Sequence, residues 1–157
     1  MCCVGDIILV DKYKHNGKQI NKHSFVVVDD DGGEIQGYSY DLICNVLSSF
    51  KNDDHKKHKL SYPGNFPISH DDTETNPHNN KDGYVKAEQL YYFDKNKISY
   101  KVIGQMNQDV FNEFMEFFNL LDVDILEIID SKLNPKGRII VTAILVDTKI
   151  EAINKLK

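Results

Sequence analysis

The 157-residue sequence has few cysteines and no long apolar run. Its three cysteines are an odd number, and none has the CxxC spacing typical of a zinc site or a disulfide framework. Cys44 lies within an apolar run, which predicts a buried small side chain and not a nucleophile. No apolar segment approaches the ~20 residues that cross a bilayer, and the N-terminus lacks the charged region of a secretory signal. We therefore expect a protein of the reducing cytoplasm that is neither membrane-spanning nor secreted.

The motifs of several common enzyme classes are also absent. The sequence contains no GxxxxGK[ST], GxGxxG, HExxH or GxSxG segment, so nucleotide-binding, zinc-protease and serine-hydrolase functions have no local support. The segment His70-Asp71-Asp72 has no partner at metal-ligand spacing and is more typical of a surface loop. We expect neither a metal nor a cofactor.

The remaining composition predicts one globular domain. Apolar residues make up 41% of the chain and charged residues 27%, as in ordinary globular proteins. The net charge of −5 argues against a nucleic-acid ligand, but residues 102–131 hold seven acids and no Lys or Arg. Without those seven negative charges the rest of the chain carries +2. Because salt screens charges beyond roughly 8 Å, a basic face can coexist with an acidic helix.

Hydrophobic patterning predicts strands in the first two thirds of the chain. Short apolar, β-branched runs bounded by glycine or polar turns are typical of buried strands, and Asn16-Gly17 indicates a hairpin turn. The predicted strands are residues 6–10, 24–28, 42–47, 66–69, 83–86, 90–93 and 98–103, with a short strand and turn between 34 and 41 and a turn at 94–97.

The last third predicts helices. Asn107 is a candidate N-cap for a helix whose apolar residues, from Val110 to Leu121, follow helical spacing. A second helix is predicted over Asp124 to Leu133, and residues 138–157 are compatible with a strand or a helix. The pattern indicates an α+β domain, a small curved barrel or sheet covered by helices. We expect a single domain over 1–157, with a barrel in 1–104 and a helical cover and C-terminal extension in 105–157.

A long segment, residues 51–81, interrupts the strands. It holds three of the four prolines, four of the six histidines and many Asn and Asp residues. A loop of this length is uncommon in a compact domain unless it has a function. We expect an inserted functional loop, broken by the short strand at 66–69.

Polar residues lie where two predicted strands begin and end. Lys22-His23-Ser24 enters the second strand, and Ser48-Ser49-Phe50-Lys51 follows the third. If these strands are neighbours, a Lys/His pair and a serine pair meet at one edge. Taken separately, such pairs are more typical of solvated strand edges and turns.

Three blocks of the sequence, in order, resemble the MazF/PemK-like toxins. Within that superfamily the chain is most similar to the ToxN-like toxins of type III toxin–antitoxin systems, and above all to the CptN group. The likeness covers about residues 2 to 119. Its blocks are Gly5-Asp6-Ile7-Ile8-Leu9-Val10-Asp11 with Lys22-His23-Ser24-Phe25-Val26-Val27-Val28, then Asn45-Val46-Leu47-Ser48-Ser49-Phe50-Lys51, then Asp82-Gly83-Tyr84-Val85-Lys86-Ala87-Glu88-Gln89-Leu90 with Ile98 and Ile103-Gly104. The CptN likeness rests on Cys2-Cys3-Val4-Gly5-Asp6, His23-Ser24-Phe25-Val26-Val27, Cys44-Asn45-Val46, Tyr62-Pro63-Gly64-Asn65-Phe66-Pro67 and His70-Asp71-Asp72-Thr73.

This resemblance implies a MazF/ToxN-like fold, an SH3-like β-barrel with covering helices, and metal-independent endoribonuclease activity. Such toxins cleave RNA by attack of the ribose 2′-hydroxyl on the adjacent phosphate, which leaves a 2′,3′-cyclic phosphate and a 5′-hydroxyl. In type III systems the antitoxin is a structured, repeat-derived RNA that the toxin processes and then binds in a multimeric ribonucleoprotein complex. Cellular or phage mRNA is the substrate in abortive infection.

The resemblance also assigns roles to individual residues. The catalytic cation of the family falls on Lys22 or His23; we expect His23 to act as acid or base and Lys22 to stabilise the phosphorane. Ser48 and Ser49 correspond to a Thr/Ser pair that hydrogen-bonds the scissile phosphate. The residues expected to hold RNA are Lys51, Lys56, Lys57, Lys59 and Lys86 through phosphate contacts, and Tyr13, Tyr62, Phe66 and Tyr84 through stacking.

Two other functions fit the same sequence. A type II toxin of this fold would be neutralised by a protein antitoxin, whose acidic peptide would occupy a basic groove. A non-catalytic SH3-like module would bind RNA or protein without cleaving it. Cleavage of RNA in EDTA separates the enzyme from the binding module.

Overall fold

The fold is described from a computed structural model, which covers residues 2–15, 18–35, 38–122 and 127–129 of the chain. The described residues form eleven strands, and the longer ones contain apolar or alternating segments of the kind that favour strands. The strands are β1 (Asp6–His15), β2 (Lys18–Asp29), β3 (Gly33–Ile35), β4 (Tyr38–Tyr40), β5 (Leu42–Ser49), β6 (Asn65–Ile68), β7 (Thr73–Thr75), β8 (Gly83–Lys86), β9 (Gln89–Phe93), β10 (Tyr100–Met106) and β11 (Glu127–Ile129). The helices are α1 (Asp53–Leu60), α2 (Gln108–Leu120) and a 3₁₀ turn, His70–Asp72.

Nine of these strands form one sheet in the order β11-β9-β5-β2-β1-β10-β7, with β8 pairing to β5 and β6. All pairs are antiparallel except β11 with β9. Strands β3 and β4 form a separate hairpin. In the described ranges no pairing joins β7 to β11, so the sheet is open along this path. The α+β architecture is confirmed, whereas closure into an SH3-like barrel is not.

Alternation along the central strands produces an apolar core on each face of the sheet. Val26 and Val28 of β2 face α2, whose buried side chains are Phe111, Phe114, Met115 and Phe118. Phe25 and Val27 belong to the other core, together with Tyr13 and four more aromatic or apolar residues of β9 and β1. Because both faces of β2 are covered here, five consecutive residues of the strand are buried.

Gly5 explains why the first block of the resemblance begins with glycine. Its φ of +92° lies in the left-handed region that side chains rarely adopt. In that conformation its N–H donates to the carbonyl of Val27 (2.8 Å) and its carbonyl accepts from Met106 (2.9 Å). Gly5 therefore joins the start of β1 to β2 and β10.

Two predictions about chain organisation were wrong, and the reasons are physical. The segment 51–81 is not a long loop, because α1, β6, the 3₁₀ turn and β7 all lie within it. The second predicted helix, Asp124 to Leu133, contains strand Glu127–Ile129, because these residues pair in parallel with Gln89–Tyr91. The rest of that predicted helix, the Asn16-Gly17 turn and residues 138–157 lie outside the described residues.

The helix predicted from Asn107 is confirmed as α2. Asn107 occupies the N-cap position, but its side chain donates to the carbonyl of Asp71 (2.8 Å) instead of capping the helix. Within the described ranges, no helix is long and apolar enough to cross a membrane.

Candidate active site

The two polar segments singled out in the sequence lie on neighbouring strands. β2 pairs with β5, and Ser24 is opposite Leu47. Lys22 and His23 therefore precede this pair on β2, while Ser48 and Ser49 follow it on β5. The sequence-based prediction required that these two strands be neighbours, and the pairing of β2 with β5 confirms that requirement.

Strand alternation separates the members of the Lys/His pair. Lys22 shares a face with Ser24, whereas His23 shares a face with Phe25. The His23 Nδ1 lies 3.3 Å from the hydroxyl of Tyr13, and the two rings meet edge to face at 5.9 Å. Burial raises the pKa of Tyr13, so its hydroxyl is a neutral hydrogen-bonding group for the imidazole.

A cavity of about 440 Å³ lies on the face of the sheet that carries Ser24, within the size range of small-ligand sites. Strands β1, β5, β6 and β10 supply an apolar floor, and Ser24, Ser48 and Ser49 border it. Another part of the lining comes from residues 75–81, at the end of β7 and in the segment that leads to β8, which we call the 75–81 wall. The polar lining residues outside β2 and β5 are Thr73, Thr75, His78, Asn79, Asn80, Lys81 and Lys101.

The charge of this lining differs from that of the chain. Two lysines and a histidine line the cavity, and among the described residues no Asp or Glu does, although the chain carries −5 overall. A cavity lined by hydroxyl donors and cations, and by no carboxylate among the described residues, favours an anionic ligand. Lys22 and His23 are not among its lining residues.

Hydrogen bonds within the 75–81 wall fix its backbone. The Thr75 hydroxyl accepts from the N–H of Asn79 (3.1 Å) and donates to the carbonyl of Pro77 (3.0 Å). The Asn79 amide bonds the backbone of Lys81 in both directions. Thr75 and Asn79 therefore hold the wall, and its exposed polar side chains that line the cavity are His78, Asn80 and Lys81.

An ion pair between His70 and Asp82 lies next to the C-terminal end of the 75–81 wall. His70 Nδ1 lies 2.9 Å from Asp82 Oδ1, which also accepts the backbone N–H of His70 (2.9 Å). The hydrogen bond with Asp82 and the charge of Asp71 raise the pKa of His70. The same hydrogen bond lowers the pKa of Asp82. Asp82 also accepts from Phe50 N–H through its backbone carbonyl (3.0 Å), which links the wall to the end of β5.

Beyond Ser49 the chain enters α1 through a second set of local contacts. The Asn52 side chain caps the helix by accepting from His55 N–H (2.8 Å). The N–H of Lys51 donates to His55 Nδ1 (3.0 Å), so this imidazole is held neutral, with its proton on Nε2. Partial burial and the nearby Lys51 and Lys59 charges lower the pKa of His55, in agreement with that tautomer.

The predicted RNA-binding lysines lie together on the α1 side of the sheet. Lys51, Lys56 and Lys57 are exposed, and Lys56 Nζ lies 5.6 Å from the Phe50 ring centre. Burial and the charge of Lys59 lower the pKa of Lys86, which places these two lysines close to each other.

The predicted stacking residues differ in accessibility. Tyr13 and Tyr84 are buried, and Tyr84 stacks on Phe50 with ring centres 5.2 Å apart. Phe66 is half-buried against Phe114 (5.5 Å) and a second α2 phenylalanine. Tyr62 is 45% exposed and is the most accessible ring of this set. Its hydroxyl lies 3.3 Å from a ring nitrogen of His58.

Sequence reasoning missed the 75–81 wall and Lys101. The accumulation of His, Asn and Pro in residues 51–81 was a signal for the wall, but no motif singled out His78, Asn80 or Lys81. Lys101 alternates with apolar residues along β10, as any solvated strand residue does. Only the pairing of β10 with β1 and β7 brings it to the same cavity as Ser49.

Comparison with known protein families matches residues 4–121 to the family described as PemK-like, MazF-like toxin of type II toxin–antitoxin systems. This range includes β2, β5, the 75–81 wall and α1. Comparison with solved structures finds no match. The match extends over most of the 157-residue chain, and the chain therefore belongs to the PemK/MazF-like toxin family.

Proposed function

We propose that the protein is a metal-independent endoribonuclease toxin whose active site is the cavity at the end of β5. The observation that carries this proposal is the composition of the cavity lining: serine hydroxyls, two lysines and a histidine, with no carboxylate among the described lining residues. Such a site suits a phosphodiester, which has a negative charge and accepts hydrogen bonds. Members of the toxin family are endoribonucleases, which agrees with this chemistry.

In this proposal the substrate supplies its own nucleophile, the ribose 2′-hydroxyl. Ser49, which shares a strand face with Leu47 and the cavity floor, donates a hydrogen bond to the scissile phosphate. Ser48 is the second hydroxyl that the family resemblance suggests for this phosphate, and Lys22 is the cation that it suggests for the negative charge on the phosphorane. The family resemblance suggests His23 as the acid or base, whereas the histidine that lines the cavity is His78. The reaction leaves a 2′,3′-cyclic phosphate and a 5′-hydroxyl.

The surface on the α1 side extends the binding site away from the reacting phosphate. Lys51, Lys56, Lys57, Lys59 and Lys86 provide positive charge along a path from Ser49 to β8. Tyr62 lies at the end of α1 with an accessible ring on which an unpaired base can stack. This surface is suited to a single strand of RNA that enters the cavity.

We further propose a structured RNA as the antitoxin, as in type III systems of the ToxN and CptN kind. The basic α1 surface supports an RNA partner, and the toxin would release that RNA by cleaving its repeats. The family description favours the second candidate, a type II protein antitoxin. An acidic peptide would then lie on the same basic surface.

Cleavage of single-stranded RNA in EDTA tests the enzyme activity. We expect wild-type protein to cleave, and Ser49→Ala to reduce kcat by about 10²–10³, the usual effect of removing one transition-state donor. Ser99→Ala is the matched control, because Ser99 is exposed and outside the cavity. RNA that binds wild-type protein and stays intact would refute the nuclease proposal in favour of a binding module.

Co-purification tests the nature of the antitoxin. The toxin is expressed from its natural locus with the flanking sequence, and the complex is treated with either ribonuclease or protease. We expect the complex to contain an RNA of repeated sequence that inhibits the toxin. Ribonuclease treatment should remove this RNA and so release the toxin's activity against its target. Inhibition that survives ribonuclease and is abolished by limited proteolysis of a second polypeptide would establish the type II alternative.

A further inference from the structure

We infer that His78, on the 75–81 wall, is the general base of the cleavage reaction. This inference rests on the proposed ribonuclease function and names a residue that the family resemblance does not assign. His78 lies in the segment between β7 and β8, whereas the proposed serine donors lie on β5. The fold brings both segments to one cavity.

His78 is the only histidine among the described cavity-lining residues, and imidazole is the side chain that serves most often as a general base. Its side chain is exposed and makes no hydrogen bond or ion pair with any other described residue. It is therefore available to a ligand, unlike the imidazoles of His55 and His70, which are engaged by Lys51 N–H and by Asp82.

The surroundings of His78 match what a base for this reaction needs. Lys81, Lys101 and Ser49 line the same cavity, so the two lysines can hold the phosphate oxygens while Ser49 donates a hydrogen bond to the phosphate. The Thr75 and Asn79 hydrogen bonds fix the backbone on both sides of His78. The fixed backbone keeps the imidazole at the cavity, and substrate binding then has to order only its two side-chain torsions.

In the proposed step, His78 carries one proton from the 2′-hydroxyl to solvent. The neutral imidazole of His78 takes the proton of the 2′-hydroxyl as the O2′–P bond forms. The P–O5′ bond breaks, and the departing 5′-oxygen takes a proton from water. The imidazolium then returns its proton to solvent, which restores the enzyme.

His23 is the alternative general base, and its position differs from that of His78 in two respects. It is not among the cavity-lining residues, and its Nδ1 is within hydrogen-bonding distance of the Tyr13 hydroxyl. Strand alternation directs it to the face of Phe25, away from the cavity that contains Ser24.

The test is the pH–rate profile of RNA cleavage by wild type, His78→Ala, His23→Ala and His58→Ala. A general base contributes about 10²–10⁴-fold, so we expect that loss in His78→Ala, with RNA affinity retained. Wild-type cleavage should decline at acidic pH because the base becomes protonated, and the cleavage rate of His78→Ala should not show this decline. Added imidazole should restore part of the activity of His78→Ala. His58, an exposed α1 histidine outside the cavity, serves as control and should keep the acidic decline.

The outcomes separate this inference from the proposed function. Cleavage by His78→Ala at the wild-type rate, with the acidic decline removed in His23→Ala instead, would overturn the inference and leave the ribonuclease function standing. Absence of cleavage by wild type under all conditions would refute both. Loss of activity in His78→Ala together with a lowered melting temperature and no imidazole rescue would also overturn the inference, because it would indicate a structural role.

Discussion

At the scale of single residues, one buried amide connects three parts of the sheet. Asn45 is fully buried in β5, and its Nδ2 donates to the carbonyls of Lys86 (3.1 Å), Ala87 (3.3 Å) and Gln89 (2.8 Å). Its Oδ1 has no partner among the described residues. The hydrogen bonds that Nδ2 donates therefore explain why an amide side chain occupies this buried position. They tie the turn between β8 and β9 to the strand that carries the serine pair.

Substitution of Asn45 should destabilise the protein. Asn45→Ala leaves buried carbonyls unsatisfied, at a cost of about 1–3 kcal/mol in the free energy of unfolding. Asn45→Asp should be worse, since a carboxylate cannot donate and is repelled by the three carbonyl oxygens. Urea denaturation measures both, with exposed Asn96→Ala as control. Equal stability of Asn45→Ala and wild type would show that these hydrogen bonds contribute nothing.

The His70–Asp82 pair should make stability depend on pH. The pKa of His70 is raised above its ordinary 6.5, so its contribution is fully present below that pH and is lost as pH rises through the folded pKa. The pKa of Asp82 is lowered below 3.8, so its contribution is present above 3.8 and is lost as pH falls through the folded pKa. The stabilisation by the pair is therefore largest between pH 3.8 and 6.5.

Urea denaturation at pH values inside and outside this window compares wild type with Asp82→Asn. The difference between their free energies of unfolding should peak within the window and shrink on both sides. Glu116→Gln, at an exposed α2 position, controls for a general effect of removing one negative charge. A difference that is the same at every pH would contradict this account of the ion pair.

At the scale of elements, the close contact between β8 and the end of β5 determines the shape of the site. Gly83 lies opposite Ser49, and a Cβ at Gly83 would overlap the carbonyl oxygen of Ser48. Only glycine lets the two backbones approach this closely. The position of the serine pair therefore depends on a residue without a side chain on the neighbouring strand.

Gly83→Ala should disturb both the fold and the activity. Relief of the overlap requires a backbone shift, and overpacking of this kind costs about 1–3 kcal/mol. Because the shift falls on Ser48 and Ser49, RNA cleavage should decline more than the loss of folded protein explains. Thermal denaturation and cleavage assays on the same sample measure the two effects. Wild-type activity in Gly83→Ala would show that the site tolerates movement of β5.

The elements also show how far the sequence predicts this fold. β2, β5 and α2 were predictable because their apolar residues alternate or recur at helical spacing against two cores. α1 has no buried residue, so hydrophobic periodicity could not reveal it; the Asn52 cap and the acids and bases at its two ends were the available signals. β11 is defined by parallel pairing with β9, a partner remote in sequence. No local pattern predicts such a pairing.

The site was predictable only in part, for a similar reason. Ser48 and Ser49 follow a recognisable strand, and the family resemblance draws attention to them. His78 and Lys101 belong to other segments and reach the cavity through β7–β10 and β10–β1 pairing. Because the residues of the site come from separate elements, no fixed spacing in the sequence relates them to one another.

At the scale of the whole molecule, part of the negative charge lies away from the cavity. Residues 102–131 hold seven of the 24 acids, four of them on α2 or within two residues of its end. The cavity lining carries Lys81 and Lys101 and no acid among the described residues, and the last turn of α1 is basic whereas Asp53 and Asp54 lie in its first turn. A protein of net charge −5 can therefore present a local cationic surface to RNA.

RNA binding should therefore depend strongly on salt. Each lysine that neutralises a phosphate of a single strand contributes about 0.7 to the slope of log K against log salt. Replacing Lys56, Lys57 and Lys59 by Gln should reduce that slope by about 2. Lys97→Gln, at an exposed turn, is the matched control. Fluorescence anisotropy in a salt series measures the slopes, and an unchanged slope in the triple variant would exclude α1 from the RNA-binding surface.

The central claim is that the cavity at the end of β5 cleaves RNA through the 2′-hydroxyl of the substrate. Chemical analysis of fragment ends after cleavage in EDTA tests it most directly. The account predicts 2′,3′-cyclic phosphate and 5′-hydroxyl ends from wild-type protein, and intact RNA when the ribose next to the cleavage site carries 2′-deoxy or 2′-O-methyl. Fragments with 5′-phosphate ends, or cleavage of the 2′-deoxy substrate, would contradict it.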